Sequence, residues 1–118
     1  MSGTSWALVI AIVVVLAFKL YMGRRSPEQI QKMQEAIAAG GLLLDVRSPG
    51  EFSGHHLPGA VNIPVGELGA RLGELGDTER AIVVYCASGA RSKAASQTLL
   101  QRGYSQVYDL GSWRNWPE

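Results

Sequence analysis

The chain has 118 residues, of which 47% are hydrophobic and 18% charged, and its 11 basic and 10 acidic residues nearly cancel. That length suits one small domain, and the balanced charge gives no electrostatic reason to expect nucleic acid as a partner. A single cysteine, Cys86, excludes an internal disulfide and a metal site built from several cysteines.

The N-terminal segment differs in composition from the rest of the chain. Within residues 6–22 only Lys19 interrupts the apolar side chains, and Arg24 and Arg25 follow. As a helix, residues 6–22 span about 25 Å, which is close to the thickness of a bilayer core, and a lysine near the helix end can reach the headgroups. We therefore predict that residues 1–25 are a transmembrane anchor with a basic flank and that residues 26–118 are the folded domain.

Two other interpretations apply to this segment. A core helix of a soluble domain would have a polar face, which residues 6–18 lack. A cleaved signal peptide begins with positive charge, whereas this chain begins Met-Ser-Gly-Thr-Ser, and no small-residue cleavage site follows the apolar stretch. The basic residues lie on the C-terminal flank, so the positive-inside rule predicts a single-pass membrane protein with its domain in the cytoplasm. That compartment keeps a free thiol reduced.

The remaining chain alternates helix and strand signals. Ser26-Pro27 followed by Gln29, and Ser48-Pro49 followed by Glu51, are typical of capped helix starts. Further helices are predicted through Leu68, Leu72 and Leu75 and over 92–102, and strands over 42–46, 60–63, 81–85 and 107–110. Strands separated by helices pair in parallel and are covered on both faces, so the pattern predicts an α/β fold with a central, mostly parallel sheet.

Cys86 lies at the carboxyl end of the strand over 81–85, where parallel sheets bind their ligands. Small residues follow it in the run Ala87-Ser88-Gly89-Ala90-Arg91-Ser92. Gly89 can adopt a positive φ, so successive N–H groups can form an anion-binding nest in front of a helix N-terminus. Arg91 adds planar donors suited to an oxyanion such as thiosulfate. These features favour the thiolate and predict a nucleophile, and the alternative is an inert core cysteine.

Four segments carry a family resemblance in a fixed order. They are Leu44-Asp45-Val46-Arg47 with Ser48-Pro49 and Glu51-Phe52, His56 to Pro64, Ile82 to Ser92, and Leu99 to Gly103 with Val107 to Gly111. Together they resemble the rhodanese-like family of single-domain sulfurtransferases over essentially all of residues 27–118. The resemblance implies a three-layer rhodanese-like fold with Cys86 catalytic and a cradle of backbone N–H groups from residues 87–91. It also implies that Asp45, Arg47 and Glu51 form a supporting polar network.

The reaction implied by the resemblance is a ping-pong transfer of sulfane sulfur. The Cys86 thiolate would take the outer sulfur of thiosulfate or of a persulfide donor, and a thiol or cyanide would then remove it. No metal or organic cofactor is expected for this chemistry. His55 and His56 have no cysteine or carboxylate partner at a nearby metal-ligand spacing, so we expect ordinary packing roles for both.

Two rival functions follow from the same residues. A membrane-anchored rhodanese-like module could recruit a partner without catalysis, but such modules usually lack the cysteine, and this chain retains Cys86, Gly89 and Arg91. A phosphatase or arsenate reductase-like enzyme of a related fold would use a Cys-x5-Arg loop. Here only four residues separate Cys86 from Arg91, and the smaller ring of N–H groups fits sulfur better than a phosphoryl group.

Overall fold

The computed structural model of the chain describes residues 3–118, with side chains from Ser5 onward. Its α-helices are α1 (Gly3–Gly23), α2 (Pro27–Ala38), α3 (Pro49–Gly54) and α4 (Ala90–Gln101). Its strands are β1 (Leu42–Asp45), β2 (Val61–Asn62), β3 (Ile82–Cys86) and β4 (Val107–Ser112). Short 3₁₀ segments cover Val65–Ala70, Leu72–Leu75 and Trp113–Asn115.

The four strands form one parallel sheet in the order β2-β1-β3-β4. Every residue of β1 and β3 is buried, because these central strands are covered on both faces. On one face, Ala95 and Leu99 of α4 pack with the 3₁₀ residues Leu68 and Leu75. On the other face, Met33 of α2 packs with side chains from the strands and the C-terminal segment. The predicted α/β fold with a central parallel sheet is therefore confirmed.

The predicted helix starts at residues 26 and 48 are both present. The Ser26 side chain accepts a hydrogen bond from the Gln29 N–H, and the Gln29 side chain accepts one from the Ser26 N–H. Ser48 and Glu51 make the same reciprocal pair at the start of α3. Because each pair satisfies two N–H groups that a helix leaves open, local sequence suffices to position these two helix starts.

The prediction of a single helix through Leu68, Leu72 and Leu75 is wrong. The structure has two 3₁₀ segments there, which place Leu68 and Leu75 in the core with no exposed surface. Gly69 and Gly73 lower the helical propensity of this stretch, so burial of the leucines is achieved without a continuous α-helix. Two boundaries also differ from prediction, because α4 begins earlier, at Ala90, and β4 extends beyond residue 110.

The helix α1 projects from the folded domain. Its large apolar side chains are exposed along its length, from 43% at Val9 to 75% at Tyr21. The molecule measures 59 × 30 × 30 Å, and a 21-residue helix accounts for about 31 Å of the long dimension. Its length and composition suit a membrane span, and an N-terminal signal sequence has the same features.

Gly41, between α2 and β1, lies where the chain leaves no room for a side chain. A Cβ there would lie 2.7 Å from the Ala36 carbonyl oxygen and 3.0 Å from that of Ala81. We expect Gly41→Ala to lower the free energy of unfolding by about 1–3 kcal/mol, since backbone atoms must move. Chemical denaturation of the full chain in detergent measures this. Gly50→Ala in α3 meets nothing within 4 Å and should be neutral or stabilising, and equal losses in both variants would contradict the argument.

Candidate active site

Cys86 is the last residue of β3 and is completely buried. Its Sγ accepts hydrogen bonds from the backbone N–H groups of Gly89, at 3.0 Å, and Ser92, at 3.3 Å. The Ser92 N–H belongs to the first turn of α4, where helix N–H groups have no partner within the helix and the dipole is positive. Both contacts therefore favour negative charge on this sulfur.

The loop between β3 and α4 turns at Gly89. This residue is the N-cap of α4 and has φ of +106°, a conformation that side chains other than glycine rarely adopt. The Ser92 hydroxyl donates to the Gly89 carbonyl oxygen at 3.0 Å and so closes the turn. Ala87 is half-buried, and Ser88 and Ala90 are exposed, so these three residues form the solvent side of the loop.

Arg91 pairs with Glu51 of α3 through two hydrogen bonds, from Nη1 to Oε1 at 2.7 Å and from Nη2 to Oε2 at 3.0 Å. Glu51 Oε1 also accepts from the Ser48 N–H and hydroxyl, as part of the helix cap. The Arg91 guanidinium, aided by the Ser48 N–H, lowers the pKa of Glu51 to about 2. Arg91 thus ties the active-site loop to α3, and its charge is balanced by a carboxylate.

Asp45 and Arg47 form a buried ion pair at the carboxyl end of β1. Arg47 Nη2 donates to Asp45 Oδ2 at 2.7 Å, and the Arg47 N–H donates to Oδ1 at 2.8 Å. The hydrogen bond to Asp45 raises the pKa of Arg47. Arg47 Nη2 also donates to the carbonyl oxygen of His55, which caps the C-terminus of α3. In strand register, Asp45 lies opposite Tyr85, the residue before Cys86.

The three residues expected to form one polar network are therefore divided between two ion pairs. Within residues 5–118, no hydrogen bond joins Glu51 to Asp45 or Arg47. The two pairs are connected through α3, because Arg47 binds the carbonyl at its C-terminus and Glu51 extends from its first turn. The two histidines make packing contacts: His55 meets the Trp113 ring edge-on at 5.1 Å, and His56 stacks on Phe52 at 3.9 Å.

An irregularity in β4 beside this loop was not predicted from the sequence. Val84 pairs with Asp109, but Tyr85 pairs with Gly111, so one residue of β4 is left out of the register. Gly111 has φ of +77°, and its Cα lies 3.9 Å from the position of a Cβ on Gly89. A glycine in a strand sequence is a recognised sign of a bulge, and this was the available signal.

The Glu51–Arg91 pair predicts a pH dependence of stability. Because the folded-state pKa of Glu51 is lowered from 4.5 to about 2, the pair stabilises the fold fully above pH 4.5 and loses this effect as the pH falls through about 2. Glu51→Gln should therefore unfold at a lower temperature than the unmodified chain above pH 4.5, with a difference that narrows in more acidic solution. Thermal melting across this range measures it. In an Arg91→Ala background the pH-dependent difference should be much smaller, and an undiminished difference would contradict the pairing.

Comparisons with known proteins bear on this geometry. A rhodanese-like domain family matches residues 26–118. The chain is 35% identical to the uncharacterized protein YqhL of Bacillus subtilis (strain 168) over 116 residues, covering 92% of this chain and 91% of YqhL. It is 39% identical to an Allochromatium vinosum protein named sulfurtransferase over 69 residues, covering 58% of this chain and 64% of that protein.

Solved structures agree with the family match. A structure described as rhodanese with anions from E. coli has a TM-score of 0.62 and 31% identity, over 66% of this chain and 95% of that one. The human single-domain sulfurtransferase TSTD1 has a TM-score of 0.63 and 30% identity, over 73% of this chain and 89% of that one. With a parallel sheet of this order and a cysteine loop at the end of its central strand, the chain belongs to the rhodanese-like domain family.

Proposed function

We propose that this chain is a membrane-anchored sulfurtransferase that carries sulfane sulfur as a persulfide on Cys86. The observation that carries the proposal is the pair of backbone N–H groups, from Gly89 and Ser92, that donate to its sulfur. Membership of the rhodanese-like family and similarity to a protein named sulfurtransferase support sulfur transfer as the reaction type.

In the first half-reaction, the Cys86 thiolate attacks the outer sulfur of a donor such as thiosulfate. A new S–S bond forms to Cys86, and the donor's S–S bond breaks with its electron pair leaving on sulfite. In the second, a thiolate or cyanide acceptor attacks the outer sulfur of the persulfide, and Cys86 leaves as the thiolate. The backbone N–H groups of Gly89 and Ser92, which donate to the sulfur, stabilise its negative charge at each stage, as an oxyanion hole stabilises oxygen.

The supporting residues have positioning roles in this proposal. The ion pair of Glu51 with Arg91 holds the loop against α3, and the buried pair of Asp45 with Arg47 holds α3 at the end of β1. Only four residues separate Cys86 from Arg91, one fewer than in a Cys-x5-Arg loop, so the ring of N–H groups fits one sulfur atom better than a phosphoryl group. This favours sulfur transfer over the phosphatase or arsenate reductase alternative.

Cys86→Ser tests the chemistry. The full chain, purified in detergent, is expected to gain the mass of one sulfur atom with thiosulfate and to form thiocyanate with cyanide. The serine variant should lose both reactions, because a hydroxyl is not ionised as a thiol is. Its melting temperature should stay the same. Gln97→Ala, at an exposed position of α4 outside the loop, is the control and should keep both reactions.

Two results would contradict the proposed reaction, and each would favour one of the alternative functions. Absence of both persulfide and thiocyanate in the folded, unmodified chain would favour the non-catalytic module that recruits a partner. Hydrolysis of an aryl phosphate without any reaction with thiosulfate would favour the phosphatase alternative.

The anchor is part of the same proposal. Residues 1–25 would form a single-pass membrane segment, with residues 6–22 in the bilayer and the domain of residues 26–118 in the cytoplasm. The exposed apolar surface of α1 supports a membrane span, and Arg24 and Arg25 after it support the cytoplasmic side for the domain.

Membrane fractions of cells producing the full chain test the anchor. The protein should stay in the pellet after alkaline carbonate extraction, and its intact mass should include residues of α1. Protease added outside intact spheroplasts should leave the domain uncut, whereas lysis should expose it. A mature mass that begins after α1 would support the signal-peptide interpretation instead.

A further inference from the structure

The exit of α1 is attached to the folded domain by two side chains, Arg25 and Asn115. Arg25 Nε donates to the Asp109 carbonyl oxygen at 2.8 Å, and its guanidinium lies 3.8 Å from the Asp109 carboxylate. Asn115 Nδ2 donates to the carbonyl oxygen of Gly23, the last residue of α1, at 2.9 Å and to that of Leu110 at 2.8 Å. We call these contacts the clasp. They connect the end of α1 to β4 and to the segment after it.

The clasp lies at the carboxyl end of the sheet, as the active-site loop does. Ser112 of β4 pairs with Cys86 in the strand register. A Cβ on Gly111 would lie 3.1 Å from Arg25 Nη2, and a Cβ on Gly89 would lie 3.9 Å from the Cα of Gly111. Gly111 therefore lies between the clasp and the loop that holds the sulfur.

A surface rich in tryptophan and arginine lies next to the clasp. Trp113, Arg114 and Trp116 line a groove of about 700 Å³, and we call these three residues the aromatic surface. Both tryptophans are half-buried, and the exposed Arg114 places its guanidinium 4.9 Å from the centre of the Trp113 ring. Tryptophan and arginine are the side chains that favour the headgroup region of a bilayer, because each combines an apolar body with a polar group.

We propose that the carboxyl end of the sheet faces the membrane, with the aromatic surface in contact with phospholipid headgroups and the Cys86 loop held at the bilayer surface. The inference rests on the proposed anchor. If α1 spans the bilayer, Gly23 and Arg25 lie at headgroup level, and the residues that the clasp joins to them lie at the same level. Glu79 lies at the amino end of the sheet. That end is farther from the membrane by the length of β3, about 17 Å.

Fluorescence quenching in vesicles tests this orientation. Three variants in a Cys86→Ser background, with Tyr21→Cys, Arg114→Cys or Glu79→Cys, each carry a fluorophore on the new cysteine. They are placed in phosphatidylcholine–phosphatidylglycerol vesicles that contain a lipid spin-labelled at its headgroup. The label at 114 should be quenched several-fold more than the label at 79. The label at 21, at the end of α1, reports whether the anchor has inserted.

The outcomes separate the two proposals. Equal quenching at 114 and 79 with strong quenching at 21 would overturn the orientation and leave the anchor intact. No quenching at 21 would remove the anchor and the orientation with it. Selective quenching at 114 in these vesicles supports lipid as the partner, because no other protein is present.

One further variant needs no engineered cysteine, and a pair of substitutions removes the clasp from the labelled chains. Trp6→Phe leaves Trp113 and Trp116 as the remaining tryptophans, with an unmodified active site, and their fluorescence should be quenched by the same lipid. Arg25→Ala with Asn115→Ala removes the clasp, so quenching at 114 should fall while quenching at 21 stays. Unchanged quenching at 114 without the clasp would contradict the role given to these two side chains.

Discussion

Two N–H groups can meet on one sulfur atom only because the chain turns at Gly89 with φ of +106°. A residue with a Cβ would pay about 1–2 kcal/mol for that conformation, and its side chain would point toward Gly111. The turn lets the first amides of α4 point back at the strand from which the chain has just come. Because β3 is buried on both faces, Cys86 is held beside them, and two main-chain N–H groups donate to its sulfur.

The ion pairs around this loop determine geometry more than stability. The pair of Asp45 with Arg47 is almost fully buried, so its attraction is largely offset by the cost of removing both charges from water. Losing one partner would nonetheless cost about 3–5 kcal/mol, because the other charge would remain buried alone. Through the His55 carbonyl this pair positions α3, and through Glu51 α3 positions Arg91. The active-site loop is thus connected to the end of β1 by two ion pairs and one short helix.

The sulfur acceptor would have to reach Cys86 at the membrane surface. Cys86 is the chain's one cysteine, so a persulfide formed there has no internal thiol to resolve it and must pass to an outside acceptor. With the carboxyl end of the sheet held at the bilayer by the clasp, the transfer of sulfur to that acceptor would take place beside the headgroups. An anchor would then do more than retain the enzyme at the membrane, because the contacts of Arg25 and Asn115 would also orient its reactive end.

Features that depend only on neighbouring residues can be predicted from the amino-acid sequence. The caps at Ser26 and Ser48, the buried strand before Cys86, the glycine after it and the apolar composition of α1 all follow from short-range patterns. Long-range contacts depend on the folded structure: Glu51 pairs with Arg91, 40 residues away, and Arg25 with Asp109, 84 residues away. The folded structure also decided the bulge at Gly111 and the two 3₁₀ segments, where burial of leucines outweighed helical periodicity. Such contacts depend on strand register and on the packing of distant segments, and no local preference specifies either.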